Sequence, residues 1–172
     1  MTKLNLDFEN TYNSWNVSKN EVIDCAEKIF NYYMSCPEIL HECCLKDYNY
    51  SSVAFDFLLC SGTQTHEINK EYRNKDYPAD IITFAVFADS PEEERFVLDF
   101  EINLGEIIIA LDKITEQANE KGIDKNDELK FFISHGILHL LGFDHQTEDD
   151  FEFVVNHQKA ALKSIGINYD KI

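Results

Sequence analysis

The chain has 172 residues and a formal net charge of −17, from 15 Lys and Arg against 32 Asp and Glu. This length predicts a single domain over residues 1–172 that is able to bury a core of its own. A hydrophobic content of 44%, with 13% aromatic residues, excludes a disordered chain. The excess of acid argues against a polyanionic partner, so any function on nucleic acid must overcome this charge.

The cysteine count is odd, and no CxxC pair is present. Residues 1–7 alternate instead of forming an apolar leader, and no run reaches the ~18 apolar residues of a membrane span. We therefore expect a cytoplasmic protein with reduced thiols and no membrane partner. A thiolate metal site at the adjacent Cys43 and Cys44 is the weaker alternative. The cysteines are Cys25, Cys36, Cys43, Cys44 and Cys60.

The first third of the chain combines strand and helix patterns. Alternating apolar residues over 4–8 predict a short strand. Ser18 followed by Glu21 is a capping box that begins a helix, and Pro37 ends the helical pattern. The apolar stretch 52–59 predicts a buried strand, and the residues between Pro37 and this strand are ambiguous.

The middle of the chain contains two further strand patterns. Ser61-Gly62-Thr63 begins a helix that reaches about Arg73, and 74–79 is a polar loop. Residues 81–87 predict a second buried strand, followed by an acidic turn at 90–94. Phe96, Leu98 and Phe100 alternate with polar residues, which predicts a hairpin with the strand before them.

The last third is mainly helical. Residues 107–109 form the core of another strand, and the helix after it ends at Gly122. A further helix begins near Asp127, and Thr147 begins the last one, which runs to about Ser164. The predicted class is α+β, with a mixed β-sheet of about four strands covered by helices.

Three of the six histidines lie in one stretch of eleven residues, HGILHLLGFDH, from His135 to His145. Residues four apart share a helix face, so His135 and His139 can bind one ion. Gly142 permits a turn that returns His145 as a third ligand. Three imidazoles with one open position are typical of catalytic zinc sites, on a helix and the turn after it. A single histidine would more simply be a core residue, but this spacing predicts a metal site.

The spacing resembles the HExxHxxGxxH motif of the metzincin proteases. Gly136 stands at the position of their Glu, which is the general base for peptide hydrolysis. A metzincin-like metallopeptidase therefore remains only as an alternative.

A second resemblance covers more of the chain. His135–His145 is similar to the HGxLHLxGxDH motif of the YbeY family of metal-dependent endoribonucleases. Residues 68–84 are similar to the family's LNxxYRxxDxPTDVLSF segment, and 104–109 to its LGDIxI strand. The blocks follow the same order. Ala79, Thr83 and Glu106 depart from these patterns.

The resemblance implies a zinc-dependent endoribonuclease that acts on single-stranded RNA. Its implied role is ribosomal RNA processing, notably maturation of the small-subunit 3′ end, together with ribosome quality control. The implied partners are precursor ribosomal RNA, the small ribosomal subunit and assembly factors, and one Zn²⁺ would bind His135, His139 and His145. A non-catalytic ribosome-assembly module with a structural metal is a further alternative.

Arg73 corresponds to a functionally important arginine of the family and is the predicted catalytic residue. Its guanidinium can bind a phosphate through two hydrogen bonds, and Lys70 and Lys75 are candidate RNA contacts. The alternative is an ordinary arginine that bonds carbonyls at a helix end. Asp80 either holds a histidine tautomer or only begins a strand. Asp144 either orients His145 or caps the following turn.

Overall fold

The computed structural model describes residues 2–170 and contains four strands and six α-helices in that range. A short 3-10 helix, Glu92–Glu94, lies between the last two strands. The strands are β1 (Lys3–Asn10), β2 (Ser52–Cys60), β3 (Ile81–Phe84) and β4 (Glu101–Ala110). The helices are α1 (Lys19–Ser35), α2 (Pro37–Leu40), α3 (Gly62–Tyr72), α4 (Leu111–Lys121), α5 (Lys125–Leu140) and α6 (Glu148–Ser164).

The four strands form one mixed sheet in the order β1-β2-β4-β3. β1, β2 and β4 are parallel neighbours, whereas β3 pairs antiparallel with β4 at the edge. Parallel neighbours need crossover connections, and helices supply part of each crossover. The predicted α+β class and the strand number are confirmed.

The two faces of the sheet are covered by different helices. β4 places Ile107 and Ile109 in the main core, where α1 and α5 pack. Ile108, which points the opposite way, belongs to a smaller cluster with Ile68 of α3. The hydroxyl of Tyr33 donates to the carbonyl of Ser134 at 3.0 Å, which ties α1 to α5. The main core therefore positions α5, the helix that carries two of the three motif histidines.

Side-chain caps begin four of the helices. Ser18, Ser61, Asp124 and Thr147 each accept a hydrogen bond from a backbone N–H in the first turn of the helix that follows. Three of these starts agree with the sequence prediction. α5 begins two residues before the predicted Asp127, because Asp124 supplies the cap.

The predicted hairpin between 81–87 and 96–100 is wrong. β3 ends at Phe84, and its antiparallel partner is β4. Residues 96–100 form a loop with one isolated bridge, Leu98 to Glu101, and the alternating side chains of Phe96, Leu98 and Phe100 are exposed. Asp99 and Phe100 both have positive φ, which interrupts an extended strand before β4 begins.

All five cysteine thiols are free, three of them buried and two half-buried. Across residues 2–170, none of the helices has both the length and the apolar character needed to cross a bilayer.

Candidate metal centre

Gly136 fixes how closely α5 approaches the sheet. A Cβ at Gly136 would lie 2.9 Å from Cδ1 and Cγ2 of Ile107 on β4, so only glycine fits without a shift of that side chain. The buried face of α5 thus meets β4 at Gly136. His135 and His139, one turn apart, remain half-buried at the flank of the helix.

The turn after α5 brings in the third histidine. Gly142 has φ of +100°, a conformation that other residues rarely adopt, and it lies just past the helix end. The N–H of Phe143 donates to the carbonyl of Leu138 at 3.0 Å and closes the turn. His145 then returns to the open side of α5, where it is exposed.

The three histidines form one cluster, which we call the histidine cluster (His135, His139 and His145). Their ring centroids are 4.5 Å apart for His135 and His139, and 5.5 and 5.6 Å from these two rings to His145. One ring nitrogen from each lies within 4.8 Å of the other two. In residues 2–170 this is the one group of three or more His, Cys, Asp or Glu side chains close enough to hold a metal ion.

The environment favours the neutral imidazoles of His135 and His139. Burial, with smaller contributions from His139 and His145, lowers the pKa of His135 to about 3. Burial also lowers the pKa of His139, with a further contribution from His145, although Asp144 and Asp89 oppose this effect. Only a neutral imidazole has a lone pair for a metal, so the donor set fits a divalent cation at neutral pH.

A buried glutamine supports the histidine cluster from α6. The side-chain amide nitrogen of Gln158 lies 2.6 Å from Nδ1 of His135, and Gln158 is 1% exposed. The sequence pattern did not indicate this residue. The available signal was its position on the apolar face of α6, where Val154, Ala161 and Leu162 are the other buried residues.

Two aromatic rings flank the histidine cluster. The ring centroid of Phe131 lies 6.4 Å from that of His135, and Phe151 stacks on His145 at 6.1 Å. Phe151 is half exposed, so one side of the cluster opens to solvent beside an aromatic surface.

Arg73 follows α3 and is exposed. Its Nη1 donates to Oδ1 of Asn69 at 3.1 Å, and the Asn69 amide donates to the carbonyl of Tyr77 at 2.8 Å. Asn69 is fully buried, so it holds one nitrogen of the Arg73 guanidinium, and the Arg73 side chain is otherwise exposed. Asn69 is a second residue that the sequence pattern did not indicate.

The lysines beside Arg73 differ in their surroundings. Nζ of Lys70 lies 3.8 Å from a carboxylate oxygen of Asp76, which offsets part of its charge. Lys75 is half-buried, and its backbone N–H donates to the carbonyl of Asn69.

Arg73 and the histidine cluster are reached from opposite faces of the sheet. α3 packs on the face of Ile108, and α5 packs on the face of Ile107. The edge strand joins the two regions, because Tyr72 contacts Phe84 at 6.2 Å between ring centroids. At the other end of the segment that follows this strand, a Cβ added at Gly142 would lie 3.6 Å from the Cβ of Ala88. Residues 84–88 therefore run from Tyr72, the neighbour of Arg73, to Gly142 in the turn before His145.

The two aspartates singled out from the sequence have other partners. Asp80 accepts from the N–H of Ile81 at 2.8 Å and from the amide of Gln117 at 2.9 Å, contacts suited to the start of a strand. Asp144 accepts from the amide of Gln146 at 3.0 Å, and Thr147, not Asp144, caps α6.

Comparison with known proteins agrees with this arrangement. The family model described as endoribonuclease YbeY matches residues 7–166. Endoribonuclease YbeY of Bacillus licheniformis is 42% identical over 111 residues, which are 64% of this chain and 70% of that protein. The protein of the same name from Malacoplasma penetrans is 37% identical over 117 residues, 68% of this chain and 73% of that protein.

A solved structure supports the fold alone. The solution structure of TM1509 from Thermotoga maritima matches with a TM-score of 0.50 and 22% sequence identity. The match covers 96% of this chain and 91% of that one. Since the family model extends over most of the chain and includes the whole histidine cluster, the chain belongs to the YbeY family.

Proposed function

We propose that the protein is a zinc-dependent endoribonuclease that cleaves single-stranded RNA during ribosomal RNA processing. The substrate would be precursor RNA at the small-subunit 3′ end, and the partners would be the small ribosomal subunit and its assembly factors. A role in ribosome quality control belongs to the same proposal. The observation that supports it most strongly is the histidine cluster, with ring nitrogens within 4.8 Å of one another, in a chain of the YbeY family.

The donor set supports zinc as the metal, with His135, His139 and His145 as its ligands. Imidazole nitrogens suit zinc, and three protein ligands leave a coordination position open, as catalytic sites do. Zinc held by these three residues would supply a Lewis acid for a phosphoryl oxygen and would lower the pKa of a bound water to near neutrality.

Arg73 would bind the phosphate of the RNA backbone. Its guanidinium is anchored through Nη1 to the buried Asn69, so its remaining N–H groups are held toward solvent with little freedom. A fixed fork of donors matches two phosphate oxygens and stabilises the negative charge that develops on them. The RNA would run over residues 84–88 from Arg73 to the histidine cluster.

Electrostatics limit how the RNA binds. With a net charge of −17, long-range attraction to RNA is absent, so binding depends on the local charge of Arg73, Lys70 and Lys75. Because Asp76 offsets part of the Lys70 charge, Arg73 carries most of this contact. Delivery by a ribosomal or assembly partner would compensate for weak RNA affinity.

The packing at Gly136 argues against peptide hydrolysis. Metzincin proteases carry their general base at this position. Here a side chain would begin 2.9 Å from Ile107, so its first carbon points into the sheet contact. The chain therefore lacks both the carboxylate and the space for it at this position.

The proposal is tested by measuring metal content and cleavage of a single-stranded RNA oligonucleotide together. We expect one zinc per chain and cleavage in the wild type, and loss of both in His139→Ala. His41→Ala is the matched control, because His41 is exposed and lies outside the histidine cluster. It should retain metal and activity.

Two results would overturn the proposal. One is a zinc-loaded wild type that leaves single-stranded RNA intact while chelation lowers its melting temperature, which indicates a non-catalytic module with a structural metal. The other is chelator-sensitive digestion of casein without RNA cleavage, which indicates a peptidase. A precursor of the small-subunit 3′ end should be cleaved faster than a duplex of the same sequence.

A further inference from the structure

We infer that Gln158 is a positioning residue for the metal centre and selects which nitrogen of His135 binds the metal. The inference rests on the proposed metal function of the histidine cluster. It starts from one contact, the 2.6 Å separation between the Gln158 amide nitrogen and Nδ1 of His135.

This contact leaves a single nitrogen of His135 for a metal. Nδ1 faces Gln158, and Gln158 is fully enclosed at 1% exposure, so a metal ion cannot replace it there without moving α6. Nε2 is the remaining nitrogen of the ring. Gln158 therefore assigns Nε2 of His135 as the ligand.

The tautomer of His135 follows from this assignment. A neutral imidazole that offers its lone pair at Nε2 carries its proton on Nδ1. Nδ1–H must then donate to an acceptor, and the carbonyl oxygen of the Gln158 amide is the acceptor within reach. Either end of the Gln158 amide can face Nδ1, because a half-turn about its terminal bond exchanges the nitrogen and the oxygen.

Metal binding should thus fix the direction of the hydrogen bond between Gln158 and His135, with Nδ1–H donating to the amide oxygen of Gln158. A glutamine serves either direction of this bond because it carries a donor and an acceptor of similar shape. An outer hydrogen bond of this kind orients a ligand and raises its basicity.

The position of Gln158 in α6 makes it a stable support. It lies among Val154, Ala161 and Leu162, the buried residues that anchor α6 to the core. The ring of Phe131 lies near the same imidazole and restricts its rotation further. His135 is therefore held before a metal arrives, whereas His145 is exposed at a loop.

The first test measures zinc affinity by competition with a chromophoric chelator, using the full chain. Gln158→Leu should bind zinc about 10- to 100-fold more weakly than the wild type, since the ring loses its orienting partner. Gln158→Glu should restore affinity to within a few-fold, because its carboxylate accepts from Nδ1–H. Leu162→Ala on the same helix is the control and should lower stability while leaving zinc affinity within a few-fold.

Two outcomes of this test would overturn the inference. One is a Gln158→Leu protein that binds zinc as tightly as the wild type. The other is a Gln158→Glu protein that binds as weakly as Gln158→Leu, which indicates that the loss reflects packing alone.

The second test needs no variant. Long-range ¹H–¹⁵N correlation spectra of the wild type report which ring nitrogen of each histidine carries the proton. With zinc bound, we expect the proton of His135 on Nδ1. A proton on Nε2 in the zinc-loaded protein would overturn the inference. Neither test uses RNA, so failure of the nuclease proposal and failure of this inference are separate results.

Discussion

Gly136 of α5 faces Ile107 of β4 at a separation that leaves no room for a methyl group. A Cβ at Gly136 would meet two carbons of the Ile107 side chain at 2.9 Å. Gly136 lies in the helical turn between His135 and His139. The contact links the identity of two core residues, Gly136 and Ile107, to the position of the histidine cluster.

Gly136→Ala should destabilise the protein, although alanine is the better helix former. Overpacking against Ile107 costs about 1–3 kcal/mol, and the helix propensity of alanine returns about 1 kcal/mol. We expect a net loss of up to about 2 kcal/mol in the free energy of unfolding, measured by urea denaturation.

In a background with a smaller residue at position 107, Gly136→Ala should no longer lower the free energy of unfolding. In Ile107→Ala the added methyl has space, so Gly136→Ala becomes neutral or stabilising there. If Gly136→Ala destabilises both backgrounds equally, the contact with Ile107 is not the reason for the glycine.

The sequence predicted those features that depend on local patterns. Ser18, Ser61 and Thr147 begin helices through caps that involve only neighbouring residues. The spacing of His135, His139 and His145 on a helix and a glycine turn was sufficient to predict that they meet, since few residues separate them.

The features that the sequence did not predict depend on contacts between distant segments. Gln158 meets His135 across 23 positions of the chain, and nothing near either residue indicates the pairing. Phe96, Leu98 and Phe100 have the alternation of a strand, but β3 pairs with β4 instead. The apolar residues 107–109 predicted only the middle of β4. The full length of this strand depends on its pairing with β2 and β3.

Arg73→Ala should abolish RNA cleavage without changing the zinc content. The Arg73 guanidinium is proposed to bind phosphate, and it donates a hydrogen bond to Asn69, outside the histidine cluster. We expect at least a 100-fold fall in cleavage rate, the scale of a lost transition-state donor. Lys28→Ala is the control and should keep full activity, because Lys28 is an exposed cation that pairs with Asp24 on α1. Full activity in Arg73→Ala would remove Arg73 from the mechanism.

Asn69→Ala should reduce cleavage by acting through Arg73. The variant removes the acceptor that anchors Nη1, so the guanidinium gains freedom and binds phosphate less well. We expect a smaller loss than in Arg73→Ala, and no further loss when Asn69→Ala is added to Arg73→Ala. Independent, additive losses of cleavage rate would show that Asn69 acts by another route.

The metal-free protein should lose stability as the pH falls below neutrality, in part because of His135. Above pH 6.5, the ordinary pKa of histidine, His135 is neutral in both the folded and the unfolded chain. Between pH 6.5 and about 3, the unfolded chain takes up a proton that the folded protein does not, so unfolding becomes more favourable as pH falls.

The contribution of His135 is isolated by comparison with His135→Asn in the presence of a chelator. From pH 7 to pH 5, the wild type should lose roughly 1–2 kcal/mol more in the free energy of unfolding than the variant. His41→Asn, which replaces an exposed histidine, should follow the wild type. Parallel curves for the wild type and His135→Asn would contradict the low pKa of His135.

Lys121 compensates a carboxylate in the core, and its removal should be costly. Glu128 is fully buried, and its Oε1 accepts from Nζ of Lys121 at 3.1 Å and from the hydroxyl of Tyr169 at 2.8 Å. Lys121→Met leaves this charge unpaired, which costs about 3 kcal/mol and lowers the melting temperature by roughly 6–12 °C. Adding Glu128→Gln removes the charge and should restore most of the loss, because the neutral amide still offers an oxygen to Tyr169. A double variant no more stable than Lys121→Met would show that the loss comes from packing of the lysine stem and not from the unpaired carboxylate.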